Sequence, residues 1–129
     1  MTRTRMMRVA ASVGAVLWMG LIYGLSTLPG SAVPGHFGSL GHYILYAALG
    51  ALFLLALPPT SPPWRAAITA IVLASLYGVT DEFHQSFVPG RVPDVGDWLV
   101  DTAGAITAVV VIVLTRRARA NDPERSVPE

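Results

Sequence analysis

The sequence contains no cysteine. Disulfides, thiolate metal ligands and cysteine nucleophiles are therefore excluded, and the redox compartment is left open. Lysine is also absent, and all nine basic residues are arginine. Charge of either sign is scarce: Asp, Glu, Lys and Arg make up 13% of the 129 residues, against about 25% in an ordinary soluble domain. The shortage is local. Between residues 9 and 115 the only basic residues are Arg65 and Arg91, and the only acids are Asp81, Glu82, Asp94, Asp97 and Asp101. A soluble fold spreads charge over its surface, whereas charge confined to the chain ends and one central stretch is what lipid as a solvent demands. A formal net charge of +1 with no basic face argues against a nucleic-acid partner. No phosphate-binding Gly-rich loop, Ser-His-Asp order, zinc-ligand spacing or internal repeat is present.

What the chain does have is apolar length. Apolar runs cover residues 9–28, 40–57, 66–79 and 98–115. A bilayer-spanning helix needs about 20 apolar residues. The third run reaches that length only if it continues through residues 80–86, which brings Asp81, Glu82 and His84 to the membrane edge. Pro29, Gly30, Pro34 and Gly35 stop the first run, and Pro58, Pro59, Pro62 and Pro63 separate the second from the third. Residues 88–96 hold Pro89, Gly90, Pro93 and Gly96 and read as a loop. The expected architecture is all-α and integral to the membrane. Four transmembrane helices are expected at about 9–28, 40–57, 66–86 and 98–115, with a short N-terminal segment 1–8 and a polar tail 116–129.

The arginines predict orientation. Arg3, Arg5 and Arg8 precede the first helix, Arg65 lies between the second and third, and Arg116, Arg117 and Arg119 follow the fourth. With four crossings these seven share one side, which the positive-inside rule makes cytoplasmic, together with both termini. Only Arg91 falls on the other side. The first run is longer than the roughly 7–15 apolar residues of a signal peptide and lacks a small-x-small site after it, so an uncleaved helix is expected.

The polar chemistry is concentrated in residues 77–104. Asp81 and Gln85 are four apart and share a helix face, as do Asp97 and Asp101. A charge at mid-helix costs about 2.5–3.5 kcal/mol on insertion scales, so Asp101, one turn inside the fourth helix, should face the bundle and have a partner. The available partners are Arg91, for a bidentate pair with Asp81, Glu82 or Asp97, and the imidazoles of His42 and His84. Ser26 and Tyr23 sit at the same level. One reading is a pocket for a lipid or cell-wall headgroup, or for a small acid–base step on one. The other is a buried Asp81, Glu82 and Arg91 ion pair that only pins the turn between the last two helices. Asp81 and His84 form a carboxylate-x-x-His pair, but a di-metal bundle site needs that motif twice. It occurs once here, so no metal or other cofactor is expected. Gly20-x-x-x-Gly24 is a small-xxx-small pair suited to close packing or a dimer face. Trp64 and Trp98 fit an interfacial aromatic belt, and His36 reads as an exposed loop residue.

The run Tyr77-Gly78-x-x-Asp81-Glu82-x-x-Gln85-x-Phe87-x-Pro89-Gly90-Arg91, followed by Asp97 and Gly104, resembles the signature of the VanZ-like family. So do Ser26 with Pro29, and His42-x-x-x-Tyr46-x-x-Leu49-Gly50. Two departures stand out. Family members commonly carry Asp-Lys where this chain has Gly38-Ser39, and Asn where it has Asp101. Losing that Lys and gaining the Asp101 carboxylate together make the outer pocket more acidic and weigh against an anion held by the Lys. The family is named for a membrane protein associated with resistance to the glycopeptide antibiotic teicoplanin. The resemblance implies a multi-pass protein of the bacterial plasma membrane that lowers glycopeptide susceptibility. Read with the polar pocket, the chain is expected to bind membrane lipid, a wall precursor or a lipophilic drug through Asp81, Glu82, Gln85, Arg91 and Asp97, with His42 and His84 in support. The alternatives are a membrane enzyme acting on a lipid-linked substrate and a structural or partner-binding subunit. The oligomeric state stays open.

Overall fold

The computed structural model describes residues 2–32, 35–60 and 62–122. Four long helices carry the fold: α1 (Arg3–Ser26), α2 (Gly35–Ala56), α3 (Trp64–Gln85) and α4 (Val95–Ala120), with a single 3-10 turn, Gly30–Ala32, after α1. There is no strand among the described residues. At 22 to 26 residues each, the helices are about 33–39 Å long. That exceeds a hydrocarbon core of about 30 Å, and all four are apolar enough to cross it. The chain is an all-α, multi-pass membrane protein.

The helices outrun their apolar stretches because local caps extend them. Thr2 accepts a hydrogen bond from the backbone N–H of Arg5, so α1 starts among the arginines. Asp94 accepts from the N–H of Gly96 at 2.7 Å, which starts α4 at Val95 and sets Asp97 in its first turn, where a carboxylate suits the helix dipole. Likewise α2 starts at Gly35, which takes the backbone of His36 out of the expected loop and into the helix. Pro34, expected to help stop the first helix, lies outside the described residues, as does the tail after Asp122.

The helices alternate in direction. One end gathers the close of α1, the start of α2, the close of α3 and the start of α4. There Gly30 N–H meets the Pro89 carbonyl at 3.4 Å, helped by a positive φ of 74° at Gly90. At the other end Arg8 Nε donates to the Ala56 carbonyl, and a groove of about 480 Å³ is bordered by Arg8, Arg116 and Arg117.

Lipid removes the hydrophobic drive between helices, so association rests on close packing and interhelical hydrogen bonds. Large apolar side chains such as Leu17, Ile44, Leu76 and Val111 point outward, while Ala70, Ala74 and Ala105 fill the interior beside Ile22, Tyr46, Leu49 and Val109. α2 is central, with its broadest contact on α4. A Cβ on Gly104 would overlap the Tyr43 carbonyl, and one on Gly50 would come within 2.9 Å of Ala105 Cα. Gly20 and Gly24 have nothing within 4 Å of a built Cβ, so that pair does not pack inside the bundle. Trp98 donates its indole N–H to the Ser75 carbonyl at 3.1 Å, and Tyr77 its hydroxyl to the Met19 carbonyl at 2.6 Å.

Candidate functional site

Two polar units form at the end opposite the arginine clusters. The first joins α1 to α3. Ser26 Oγ donates to Asp81 Oδ1 in a short hydrogen bond, and Gln85 Nε2 donates to Ser26 Oγ at 3.0 Å. All three side chains are buried. The four-residue spacing of Asp81 and Gln85 places both on the face of α3 that meets Ser26, the last residue of α1.

The second unit joins α2 to α4. His42 Nδ1 lies 2.8 Å from Asp101 Oδ1, and its Nε2 lies 3.9 Å from Asp97 Oδ2. Asp101 is fully buried and Asp97 partly exposed. The i, i+4 pair on α4 therefore brackets one imidazole. Glu82 stands beside this unit. Its Oε2 accepts the backbone N–H of Asp94 at 2.8 Å, which ties the end of α3 to the cap of α4. Ligand-capable atoms of His42, Glu82 and Asp101 all lie within 4.8 Å of one another. Gly78 makes room for them, since a Cβ there would meet Asp101 Oδ2 at 3.2 Å.

Between the units lies a cleft of about 170 Å³ lined by His42, Asp81, Gln85 and Arg91 on its polar side and Leu25 and Leu45 on its apolar side. The buried ion pair expected of Arg91 with Asp81, Glu82 or Asp97 does not form. Arg91 Nε donates instead to the Leu28 carbonyl at 3.1 Å, and Arg91 joins no ion pair among the described residues. The reason is local: the Gly90 turn directs the loop toward the close of α1, where the Leu28 carbonyl lies just past the helix end. His84 is also elsewhere. Its ring stacks on Tyr23 of α1 with centroids 4.4 Å apart, and it is not among the residues that converge with His42. Asp81 and His84 accordingly do not act as a pair.

Of the seven residues singled out from the sequence, six border the two units or the cleft between them, and His84 does not. Sequence reasoning marks Asp101 as needing a partner but does not identify it as the buried anchor of His42. The signal was its position four residues after Asp97, on the face that also holds Gly104.

A family model described as VanZ/LLP1 matches residues 5–116. The chain belongs to the VanZ/LLP1 family. No curated protein and no solved structure matches it. The VanZ-like match takes in all four helices up to Arg116, and so both polar units. At position 101 the chain has a carboxylate against His42. Asn would serve as a neutral acceptor, whereas Asp adds an anion.

Proposed function

We propose that this VanZ-like protein holds the polar head of an amphiphile, a membrane lipid or a lipid-linked wall precursor, and thereby lowers susceptibility to glycopeptide-type antibiotics. The observation that carries the reading is the cleft between the two polar units. Its volume of about 170 Å³ is below the roughly 300–1,000 Å³ of a pocket that encloses a whole ligand. It suits a headgroup whose chains remain in the surrounding lipid. Leu25 and Leu45 continue the apolar surface into it, while His42, Asp81 and Arg91 supply donors and acceptors. Arg91, paired with no carboxylate among the described residues, keeps its charge for a phosphate-bearing head.

The protein belongs in the bacterial plasma membrane with both termini cytoplasmic and the cleft at the outer leaflet. Seven arginines at one end against Arg91 at the other support that orientation. The test is expression in a glycopeptide-susceptible host. The wild-type chain raises the inhibitory concentration of teicoplanin, and Arg91→Ala at equal membrane abundance does not. Equal susceptibility of cells with the wild type, with Arg91→Ala and with neither would sink the reading.

A second reading is an enzyme acting on a lipid-linked substrate. It is favoured by one observation, the His42 imidazole oriented by Asp101 and so placed as a general base. Turnover of a lipid-linked substrate by purified protein, lost in His42→Gln, would select it over binding alone.

A further inference from the structure

We propose that His42, Glu82 and Asp101 hold a divalent first-row cation such as Zn²⁺ or Mn²⁺. The three residues come from α2, α3 and α4, so no spacing along the chain announces them. Their ligand-capable atoms converge within 4.8 Å. Ligands on one ion with bonds of about 2.0–2.2 Å are at most about 4.4 Å apart, so a small inward adjustment of the side chains completes the set.

An independent observation points to a ligand there. Glu82 Oε1 and Asp101 Oδ2 are buried with no hydrogen-bond partner among the described residues. Their residues are 9% and 0% exposed. Buried carboxylate oxygens are ordinarily satisfied by donors or by a metal. The other oxygen of each is already fixed, Glu82 Oε2 by the Asp94 N–H and Asp101 Oδ1 by His42. The Asp94 contact comes from outside the ligand set and is of the kind that orients a metal ligand and holds it ready.

Charge leads to the same place. Asp81, Glu82, Asp97 and Asp101 cluster at this end, and the nearby Arg91 pairs with none of them. A divalent ion with one neutral imidazole and two carboxylates sums to zero, which allows the group to sit inside the membrane boundary. Asp97, with Oδ2 3.9 Å from His42 Nε2 and partly exposed, lies at the rim outside the set. One nitrogen with several oxygens is a donor set that suits Zn²⁺ and Mn²⁺. The site shares His42 with the cleft but needs no amphiphile in it, so metal binding can be tested without one.

The experiment uses the full chain in mild detergent, purified on a tag free of histidine, stripped with chelator and titrated with Zn²⁺ or Mn²⁺. Bound metal is counted by mass spectrometry after desalting. One ion per wild-type chain is expected. Glu82→Gln and Asp101→Asn, which keep shape and hydrogen-bonding capacity, should each weaken binding by at least about tenfold. Metal should raise the melting temperature of the wild type and not of the variants. Wild-type binding no tighter than that of a monodisperse Glu82→Gln chain would overturn the site. If Asp101→Asn fails to fold, Glu82→Gln decides alone.

Discussion

Replacing His42 with alanine removes the only side-chain hydrogen-bond partner that Asp101 has among the described residues. Asp101 has no solvent exposure through which water could replace it. Two magnitudes compete. If the contact is an ordinary interhelical hydrogen bond in a membrane protein, its loss costs about 0.6 kcal/mol. If it is an ion pair in a closed interior, removal of one partner strands a charge and costs about 3–5 kcal/mol. The structure favours the larger figure. The contact is 2.8 Å long, the carboxylate is fully buried, and Asp97 and Glu82 add negative charge beside it. His42→Ala should therefore cost about 3–5 kcal/mol.

Asp101→Asn makes the contrast. Asparagine keeps an oxygen that accepts from His42 Nδ1 and removes the charge, so it should cost about 1 kcal/mol or less. The double variant His42→Ala with Asp101→Asn should recover most of the loss seen in His42→Ala, because no charge is left stranded. The assay is reversible unfolding in mixed micelles with rising denaturing detergent, followed by tryptophan fluorescence, with chelator present throughout. A His42→Ala loss under about 1 kcal/mol, or a double variant no better than His42→Ala, would refute the ion-pair argument.

Two further tests address packing and orientation. Gly104→Ala should cost about 1–3 kcal/mol in the same assay, because its methyl group would overlap the Tyr43 carbonyl. Gly24→Ala, open on that side, should stay within about 0.5 kcal/mol of wild type, and equal effects from the two would contradict the described α2–α4 contact. Val92 is 80% exposed in the α3–α4 loop, and the chain has no cysteine of its own. Val92→Cys should react with an impermeant maleimide in intact cells, and reaction only after lysis would put the cleft on the cytoplasmic side.

Much of this architecture was legible in the sequence because lipid imposes one simple rule. Apolar runs of about 20 residues must be helices, and the proline-rich breaks divide them. The continuation of the third run through Gln85 was legible too, since the run is too short otherwise. Helix starts were not, because they depend on single capping contacts such as Asp94 with Gly96. The polar end was legible as a region but not in its pairings. Periodicity placed Asp81 with Gln85 and Asp97 with Asp101 on shared faces, yet it does not say which helix each face meets. Arg91 was expected to seek a carboxylate by charge alone. The Gly90 turn sends it to a backbone carbonyl instead, and φ at one glycine is not readable from residue types nearby.

Packing and chemistry meet at one point of the fold. Gly104 allows α4 to approach the backbone of α2 at Tyr43. Tyr43 follows His42 in the chain, and Gly104 lies three residues after Asp101, nearly one helical turn. The backbone approach at Gly104 and Tyr43 and the side-chain contact of Asp101 with His42 are thus the same contact seen at two levels. Gly78 does for α3 what Gly104 does for α2, leaving Asp101 Oδ2 the space that a Cβ would crowd. The glycines in the signature run therefore do more than bring helices together. They set the distance at which a buried carboxylate meets an imidazole while its other oxygen has no partner among the described residues.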